Sequence, residues 1–484
     1  MLKKKWLALL LILMMAMGVL TGCSPTEMSY YNLMKEASTQ KVYTDVGSME
    51  INMAKLPASL FTGEEAANQE MVRKAIDKLR IEYTGKVDIN QDVFQYDFKI
   101  IDGSAVEKGS FSLLYKDDVL YLKLDELINY LGEFYSPAER QNFDQIFADV
   151  QWVSISDKDL SNMMPEVSQA GITSNLLQKS AQQQLIYRRL LDALFNDVYN
   201  NHTSNLVSQS NNKYTLTLRG AQLIDVAKPA AIYTINNIDK LSTTLKTFLN
   251  SLTPAEITDL GLTNEIKGQA LQGLDLMVLA VNQDRSKYLQ EIENMSATSK
   301  DELLKTINDS ELVASIEKAD AKTYNTASKL HVDVTVDNPA DRLEFTLNTK
   351  DTMIAGGTVQ VAAPTTGLIT LTELQQRLPR ELTVNVDSGF YTQSNGLFSD
   401  SGKMNVQMVN SRTYLPLRLT GESLGEEVGW DQASHQAYVM QNGQSINMNG
   451  IIVNSRTYIK IRDFEQLGFK VGWNDAVRTV TIEK

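Results

Sequence analysis

From Ile81 onward the chain alternates apolar and polar residues with a period of two. Ile81, Tyr83, Val87 and Ile89 are followed by Phe94, Tyr96, Phe98 and Ile100, then by Phe111, Leu113 and Tyr115, and then by Leu120, Leu122 and Leu124. Such alternation predicts antiparallel strands with one buried and one solvated face. Asn90-Gln91-Asp92, Asp102-Gly103-Ser104 and Asp117-Asp118 supply turns, so a meander of about four strands is expected. The period returns at Leu330, Val332, Val334 and Val336, and after a turn at Asp337-Asn338-Pro339 it continues at Leu343, Phe345 and Leu347. Val359 and Val361 are expected to add a further strand.

Helical spacing occupies the middle. Glu64 to Leu79 reads as a helix, as do the stripe Leu177, Ala181, Leu185, Leu190, Leu194, Val198 and the long stretch from Ile266 to Ile292. Ser136-Pro137-Ala138-Glu139, Thr253-Pro254-Ala255-Glu256 and Ser299-Lys300-Asp301-Glu302 mark helix starts, because a hydroxyl and a glutamate three residues on satisfy donors of the first turn. The fold class expected is α+β: an antiparallel sheet packed with long helices, followed by a small two-repeat α+β domain. This order of elements loosely resembles the half-barrel of bacterial lipoprotein carriers, which implies a greasy groove for an acyl chain.

Near the C-terminus the chain repeats itself. Val409-Asn410-Ser411-Arg412-Thr413-Tyr414-Leu415-Pro416-Leu417-Arg418 is answered 44 positions later by Val453-Asn454-Ser455-Arg456-Thr457-Tyr458-Ile459-Lys460-Ile461-Arg462. Leu424-Gly425 and Val428-Gly429-Trp430-Asp431 are answered by Leu467-Gly468 and Val471-Gly472-Trp473-Asn474. Each unit reads as a turn at Asn-Ser, a strand, a short helix capped by Gly425 or Gly468, and a strand carrying Gly-Trp. These residues resemble the copper amine oxidase N-terminal-like, or stalk, domain over roughly 395 to 484, with Lys460 where that family has proline. The resemblance implies a small sheet against a helix, remote from any catalytic centre, with a surface or wall-association role. Arg412, Tyr414, Arg418, Gly425, Trp430, Arg456, Tyr458, Arg462, Gly468 and Trp473 are its expected structural residues. Trp430 and Trp473 are read as core pillars, and Arg418 and Arg462 as members of a buried or interfacial ion pair.

The start of the chain is an address. Lys3, Lys4 and Lys5 precede an apolar run of about 15 residues from Trp6 to Leu20, and Leu20-Thr21-Gly22 stand before Cys23, the one cysteine of 484 residues. The run is short for crossing ~30 Å of hydrocarbon, and the layout is that of a secretory signal. The small residues before the thiol resemble the lipobox of bacterial lipoproteins. That resemblance implies cleavage before Cys23, a diacylglycerol on its sulfur, and residence on the extracytoplasmic face of the cell membrane. The expected organisation is a signal peptide over 1–22, a lipid-anchored lead over 23–26, an α+β domain over 27–385, a linker over 386–402 and the two-repeat domain over 403–484.

Charge changes the picture of partners. The net charge of -13 becomes -16 without residues 1–22, and residues 403–484 carry +1, so the acidity lies in 23–402. Nucleic acid, anionic lipid and anionic wall polymers all attract through clustered Lys and Arg, so nucleic acid is excluded as an expected partner and electrostatic attraction to the other two is not expected. The partners expected are the membrane, through the lipid on Cys23, and a cell-wall or envelope protein component.

Candidate chemistry is sparse. His202, His331 and His435 lie in three segments without metal-binding spacing, and His331 falls on the polar side of its strand with Asp333 and Thr335, so neither metal nor cofactor is expected. Gly421-Glu422-Ser423-Leu424-Gly425 matches the nucleophile elbow G-x-S-x-G. The second repeat places Gln466 at the position of Ser423 and Phe464 at that of Gly421, so the serine reads as an exposed helix position without a catalytic role. Ser38-Thr39-Gln40-Lys41 has S-x-x-K spacing without the companion motifs, and Glu426-Glu427 reads as a solvated pair. The expectation is a non-catalytic, membrane-anchored lipoprotein that binds or scaffolds at the cell envelope, with a lipid or small-molecule carrier as the alternative.

Overall fold

A computed structural model of the chain describes residues 24–60, 69–132, 137–163, 173–294, 309–336, 341–394, 399–441 and 443–483. They divide into two compact units, one drawing on the chain before 137 and on 149–368, the other on 137–148 and 369–484. The fold is α+β.

In the first unit eleven strands build one sheet. They are β1 (Val42–Lys55), β2 (Leu79–Asp88), β3 (Val93–Ile101), β4 (Glu107–Lys116), β5 (Val119–Lys123), β6 (Trp152–Ile155), β7 (Val207–Ser210), β8 (Lys213–Arg219), β9 (Glu311–Lys318), β10 (Thr323–Thr335) and β11 (Arg342–Ala355). They lie in the order β6-β5-β4-β3-β2-β1-β11-β10-β9-β8-β7, each paired antiparallel with its neighbours. The expected meander is β2 to β5. Its last hairpin turns through Asp117 and Asp118, both at positive φ, the backbone a two-residue hairpin loop requires.

In the middle of the sheet one face is apolar and aromatic on β2, β3 and β4 and polar where its rows cross β11 and β10. The register places Met49, Ile81, Ile100, Thr349 and Ser328 in one cross-strand row, and Gly47, Tyr83, Phe98, Phe111, Asp351 and Thr326 in the next. Helix Pro25–Ser38 covers the β7–β9 end, where Leu33 packs with Ile316 and Tyr324. A separate helical core joins Leu194, Val198, Ile235, Ile238, Leu241, Leu274, Met277 and Val281. In the middle of the sheet Ile81, Tyr83, Phe98, Phe111 and Leu347 are only half-buried, and Met49 is exposed.

Several expectations are corrected. The helix expected over Glu64–Leu79 is Gln69–Ile76 in its described part; Lys78 at φ 60° ends it and Leu79 opens β2. Val359 and Val361 form no strand, because Gly356 and Gly357 at positive φ turn the chain out of the sheet. The stretch Ile266–Ile292 is two helices, Asn264–Gln283 and Arg285–Glu293, broken at Asp284. Thr253 and Glu256 make the expected reciprocal cap. Ser136, Ser299–Glu302, the turn at 337–339 and residues 1–23 lie outside the described residues.

Residues 24–26 are not a lead but the start of a docked helix. Ser24 caps Pro25–Ser38 in a capping box with Glu27. Glu27, only 4% exposed, accepts from the Ser24 amide at 2.9 Å, the Ser204 amide at 3.0 Å, the Ser204 hydroxyl at 2.5 Å and the Asn205 amide at 2.9 Å.

The second unit has one core, in which Leu382, Val384, Leu415, Leu424, Val439, Ile459, Phe464, Val480 and Ile482 are fully buried. Its five-stranded sheet runs Ser399–Lys403, Phe390–Ser394, Glu381–Asn385, Thr479–Glu483, Lys470–Asn474. The segment expected as a linker therefore carries a hairpin, and the unit begins at 369 rather than 403. The physical reason is Leu382, Val384 and Val386, which fill the core against Val480 and Ile482. Polar turn residues at Asp387-Ser388-Gly389 gave the stretch its linker-like composition.

Burial opposes ionisation of Glu27, but hydrogen bonds from Ser204 and Ser24 outweigh it and hold its pKa below the ordinary glutamate value. That stability is present above the unfolded pKa of about 4.3 and is lost as pH falls through the folded one. Glu27→Gln sets an amide against these donors and is expected to cost about 1–3 kcal/mol at neutral pH. Chemical denaturation from pH 7 to 3 should show the variant's deficit shrinking towards acid.

Candidate functional site

The half-buried middle of that sheet face holds two carboxylates. Asp45 on β1 and Asp351 on β11 stand on the same side as Tyr83, Tyr96, Phe98 and Phe111. Tyr96 donates its hydroxyl to Asp45 Oδ2 at 2.9 Å, and Tyr83 donates to Asp351 Oδ1 at 2.9 Å. Glycines make room for this crossing of strands: a Cβ on Gly85 would collide with Asp45 Oδ1 and the Tyr96 ring, and one on Gly47 would collide with the Tyr83 ring. The aromatic floor continues in the stack of Phe98 on Phe111, with ring centroids 4.5 Å apart.

Among the described residues no lysine or arginine forms an ion pair with Asp45 or Asp351, and Asp45 Oδ1 is shielded from solvent without a hydrogen-bond partner. Burial raises the pKa of Asp45, the charge of Asp351 adds to the rise, and the Tyr96 hydrogen bond offsets only part of it. Burial likewise raises Asp351 against the hydrogen bond from Tyr83. The same burial and nearby carboxylates push both tyrosines up. The arrangement presents an apolar, aromatic surface with a polar centre, suited to an amphipathic ligand.

Sequence reading missed this cluster. Its signal was a defect in the alternation: Asp45 and Gly47 occupy inward positions of β1, while Val46 points outward and is 59% exposed.

The sequence-predicted residues lie elsewhere. His331 is on the polar sheet face, its Nδ1 2.9 Å from Thr346 Oγ1. His202 is buried against Tyr199 and Tyr233, and His435 sits at φ 54° in a turn of the second unit. Among the described residues no group of His, Cys, Asp and Glu has the geometry of a metal site. Ser38 donates to the Lys35 carbonyl at 3.2 Å. Ser423 is half-buried rather than exposed: the helix Leu417–Ser423 packs Gly421 against Val428, which also draws the Ser423 hydroxyl out of solvent.

The repeat residues divide by role. Asn410-Ser411 and Asn454-Ser455 all have positive φ, which closes two matching hairpins at Val409–Arg412 and Val453–Arg456. Tyr414 and Tyr458 are buried, whereas Arg412 and Arg456 are exposed. Gly425 and Gly468, at φ 74° and 82°, end the two short helices. At the first, Arg380 Nη1 donates to the Leu424 carbonyl at 2.9 Å and occupies the space a Gly425 side chain would need. Lys460 takes the place of Pro416 at the same φ, -61° against -64°.

The tryptophans are not core pillars. Trp430 and Trp473 are 38% and 37% exposed, two residues beyond Val428 and Val471 where each strand runs past the edge of the core. Their indole N–H groups donate to Gln432 and Asp475 at 2.9 and 3.2 Å. The arginines differ from expectation too. Arg462 forms a surface pair with Glu465 at 2.7 Å and donates to the Val471 carbonyl at 2.8 Å, whereas Arg418 is exposed with no side-chain partner among the described residues.

For carboxylates whose pKa is raised by folding, stability falls as pH climbs from the unfolded value near 3.9 through the folded one. Asp45→Asn and Asp351→Asn keep an acceptor for each tyrosine and remove that loss. Both variants should be more stable than the parent at pH 7 and equal to it near pH 3, as read by thermal unfolding across that range.

Residues 393–451 match the family model of the copper amine oxidase N-terminal domain, a non-catalytic domain. The match spans the first repeat and stops short of the second hairpin at Val453–Arg456. No curated protein and no solved structure matches the chain.

Proposed function

We propose that the protein is a non-enzymatic lipoprotein, held on the extracytoplasmic face of the cell membrane by a diacylglycerol on Cys23, and that it works by binding at the cell envelope. The leading support for the anchor is Leu20-Thr21-Gly22-Cys23 after a basic and apolar leader. Two acyl chains give durable attachment at about 0.8 kcal/mol per buried CH₂. The observation that carries the binding function is the middle of the sheet face, where Tyr83, Phe98, Phe111 and Leu347 stay half-buried around Asp351. Apolar rings left half-open together on one sheet face support a surface kept for a partner. The non-catalytic family matched at 393–451 agrees with a protein without turnover. The partner proposed is a component of the wall or envelope, not nucleic acid.

The same face favours a second reading, a carrier of a lipid or other small amphipathic molecule. Its apolar rows would take the chain, and the carboxylates with their tyrosines would meet a polar head.

The mass of the N-terminal peptide from the membrane fraction tests the anchor. A peptide beginning at Cys23 with a diacylglycerol adduct is expected, and Cys23→Ala should leave the membrane fraction without it. Membrane attachment unchanged by that substitution, or a leader retained on the parent protein, would overturn the assignment. Native mass spectrometry of the detergent-extracted chain separates the two binding modes: a co-purifying lipid supports the carrier, and its absence together with failure to take up a fluorescent fatty acid retires it.

A further inference from the structure

The second unit contains a cleft of about 960 Å³ whose lining combines an exposed indole with three cations. Trp430 forms part of its wall, and Lys403, Arg418 and Arg456 are exposed around it. Glu422 is the carboxylate among the lining residues. None of the three cations has a side-chain hydrogen bond or ion pair among the described residues, although Glu422 stands four positions after Arg418 on the same helix. Most surface arginines of this protein do find carboxylates, as Arg462 finds Glu465 and Arg478 finds Asp387.

The repeat provides an internal control. Arg418 and Arg462 occupy matching positions, and so do Glu422 and Glu465, yet only the second arginine is tied, to both Glu465 and the Val471 carbonyl. In the first repeat the guanidinium is left without a side-chain partner among the described residues, in the cleft that Trp430 also lines. Arg456 arrives from the other repeat, at the end of the hairpin turn Asn454-Ser455, and Lys403 from the end of strand Ser399–Lys403. The positive φ of Asn454 and Ser455 fixes where that turn delivers Arg456. Three separate elements thus bring positive charge to one cleft in a chain whose net charge is -13.

An indole and guanidinium groups lining one cleft suit a ring with C–H faces that also bears anionic groups. The flat apolar surface stacks on the ring, and Arg donates paired N–H groups to carboxylate or phosphate oxygens. A cleft of this size admits a few sugar residues rather than one small ion. We propose that this cleft binds an anionic sugar chain, with Trp430 as the stacking platform and Arg418, Arg456 and Lys403 as the charge contacts. The proposal rests on the reading of the protein as a binder at the envelope and names a ligand class for it. The anchor is read separately from the mass at Cys23, so a failure here leaves that assignment standing.

Calorimetry on the detergent-extracted full chain tests it with four probes. Hexagalacturonate carries rings and carboxylates, a glucosylated ribitol-phosphate oligomer carries rings and phosphates, maltohexaose has rings without charge, and linear polyphosphate has charge without rings. At least one of the first two should bind about tenfold or more tighter than either of the last two, and which one does so identifies carboxylate or phosphate as the preferred anion. Trp430→Ala and the pair Arg418→Gln with Arg456→Gln should each weaken that binding about tenfold, with Trp430→Phe restoring part of it. Trp473→Ala, at the matching place in the other repeat, should change nothing. All four side chains replaced are exposed, and unchanged thermal unfolding will show that each variant is folded. Absence of binding to both charged sugar chains would overturn the proposal. Equal affinity for polyphosphate, or an equal loss in Trp473→Ala, would overturn it too, since either marks unspecific attraction.

Discussion

The pairing of β1 with β11 is the constraint on which the first unit depends. It joins Val42–Lys55 to Arg342–Ala355, nearly the two ends of that unit, and puts β1 between β2 and β11 in the middle of the sheet. Without it the meander β2–β5 and the strands β7–β11 would be two sheets with four exposed edges between them. Such a contact between distant segments has a large closure cost before any gain, so the sheet cannot be assembled by local hairpins alone. The capped helix Pro25–Ser38 adds to the same closure, because Glu27 ties the start of the chain to Ser204 and Asn205.

This central strand is also where the unit departs from the rule of an apolar inner face. Asp45 and Gly47 stand where Val or Ile would pack best, and the room left by Gly47 and Gly85 is filled by Tyr83 and Tyr96 leaning across. A pair of carboxylates drawn out of water, each with a tyrosine hydrogen bond and no ion pair among the described residues, opposes folding at neutral pH. The pair lies on β1 and β11, strands hydrogen-bonded on both sides, and their pairing offsets that cost. The polar centre and the surrounding half-buried rings belong to one structural fact, since a sheet face closed by helices would have no use for either.

How much of this was legible in the sequence depends on how local the cause is. Strands β2 to β5 and the cap at Thr253 follow from alternation and turn chemistry a few residues long, and both were read correctly. Strand β1 was missed because its period is broken at Asp45 and Val46, and only its long-range partners make it a strand. The carboxylate cluster was invisible for the same reason: Asp45 and Asp351 are some 300 residues apart and meet only through register. The hairpin at Phe390–Ser394 and Ser399–Lys403 reads as a linker because polar residues dominate it, while its anchoring residues, Leu382 and Val384, precede it.

In the second unit, identity between repeats was plain from the residues, but identity does not dictate equivalent roles. Seven shared residues across each hairpin block specify the Asn-Ser turns and the buried tyrosines, and the structure makes those features alike. Arg418 and Arg462 are shared as well, yet their contacts differ, and of two tryptophans alike in exposure only Trp430 lines the cleft, because the repeats pack as neighbours and not as superposed copies. The first repeat's helix Leu417–Ser423 shares a cleft with the second repeat's turn at Ser455, while Arg462 finds Glu465 and a carbonyl within its own repeat. A duplicated scaffold can hold one copy of a residue in a structural contact and leave the other without one among the described residues, and that copy, Arg418 in the cleft lined by Trp430, is the one on which recognition can act.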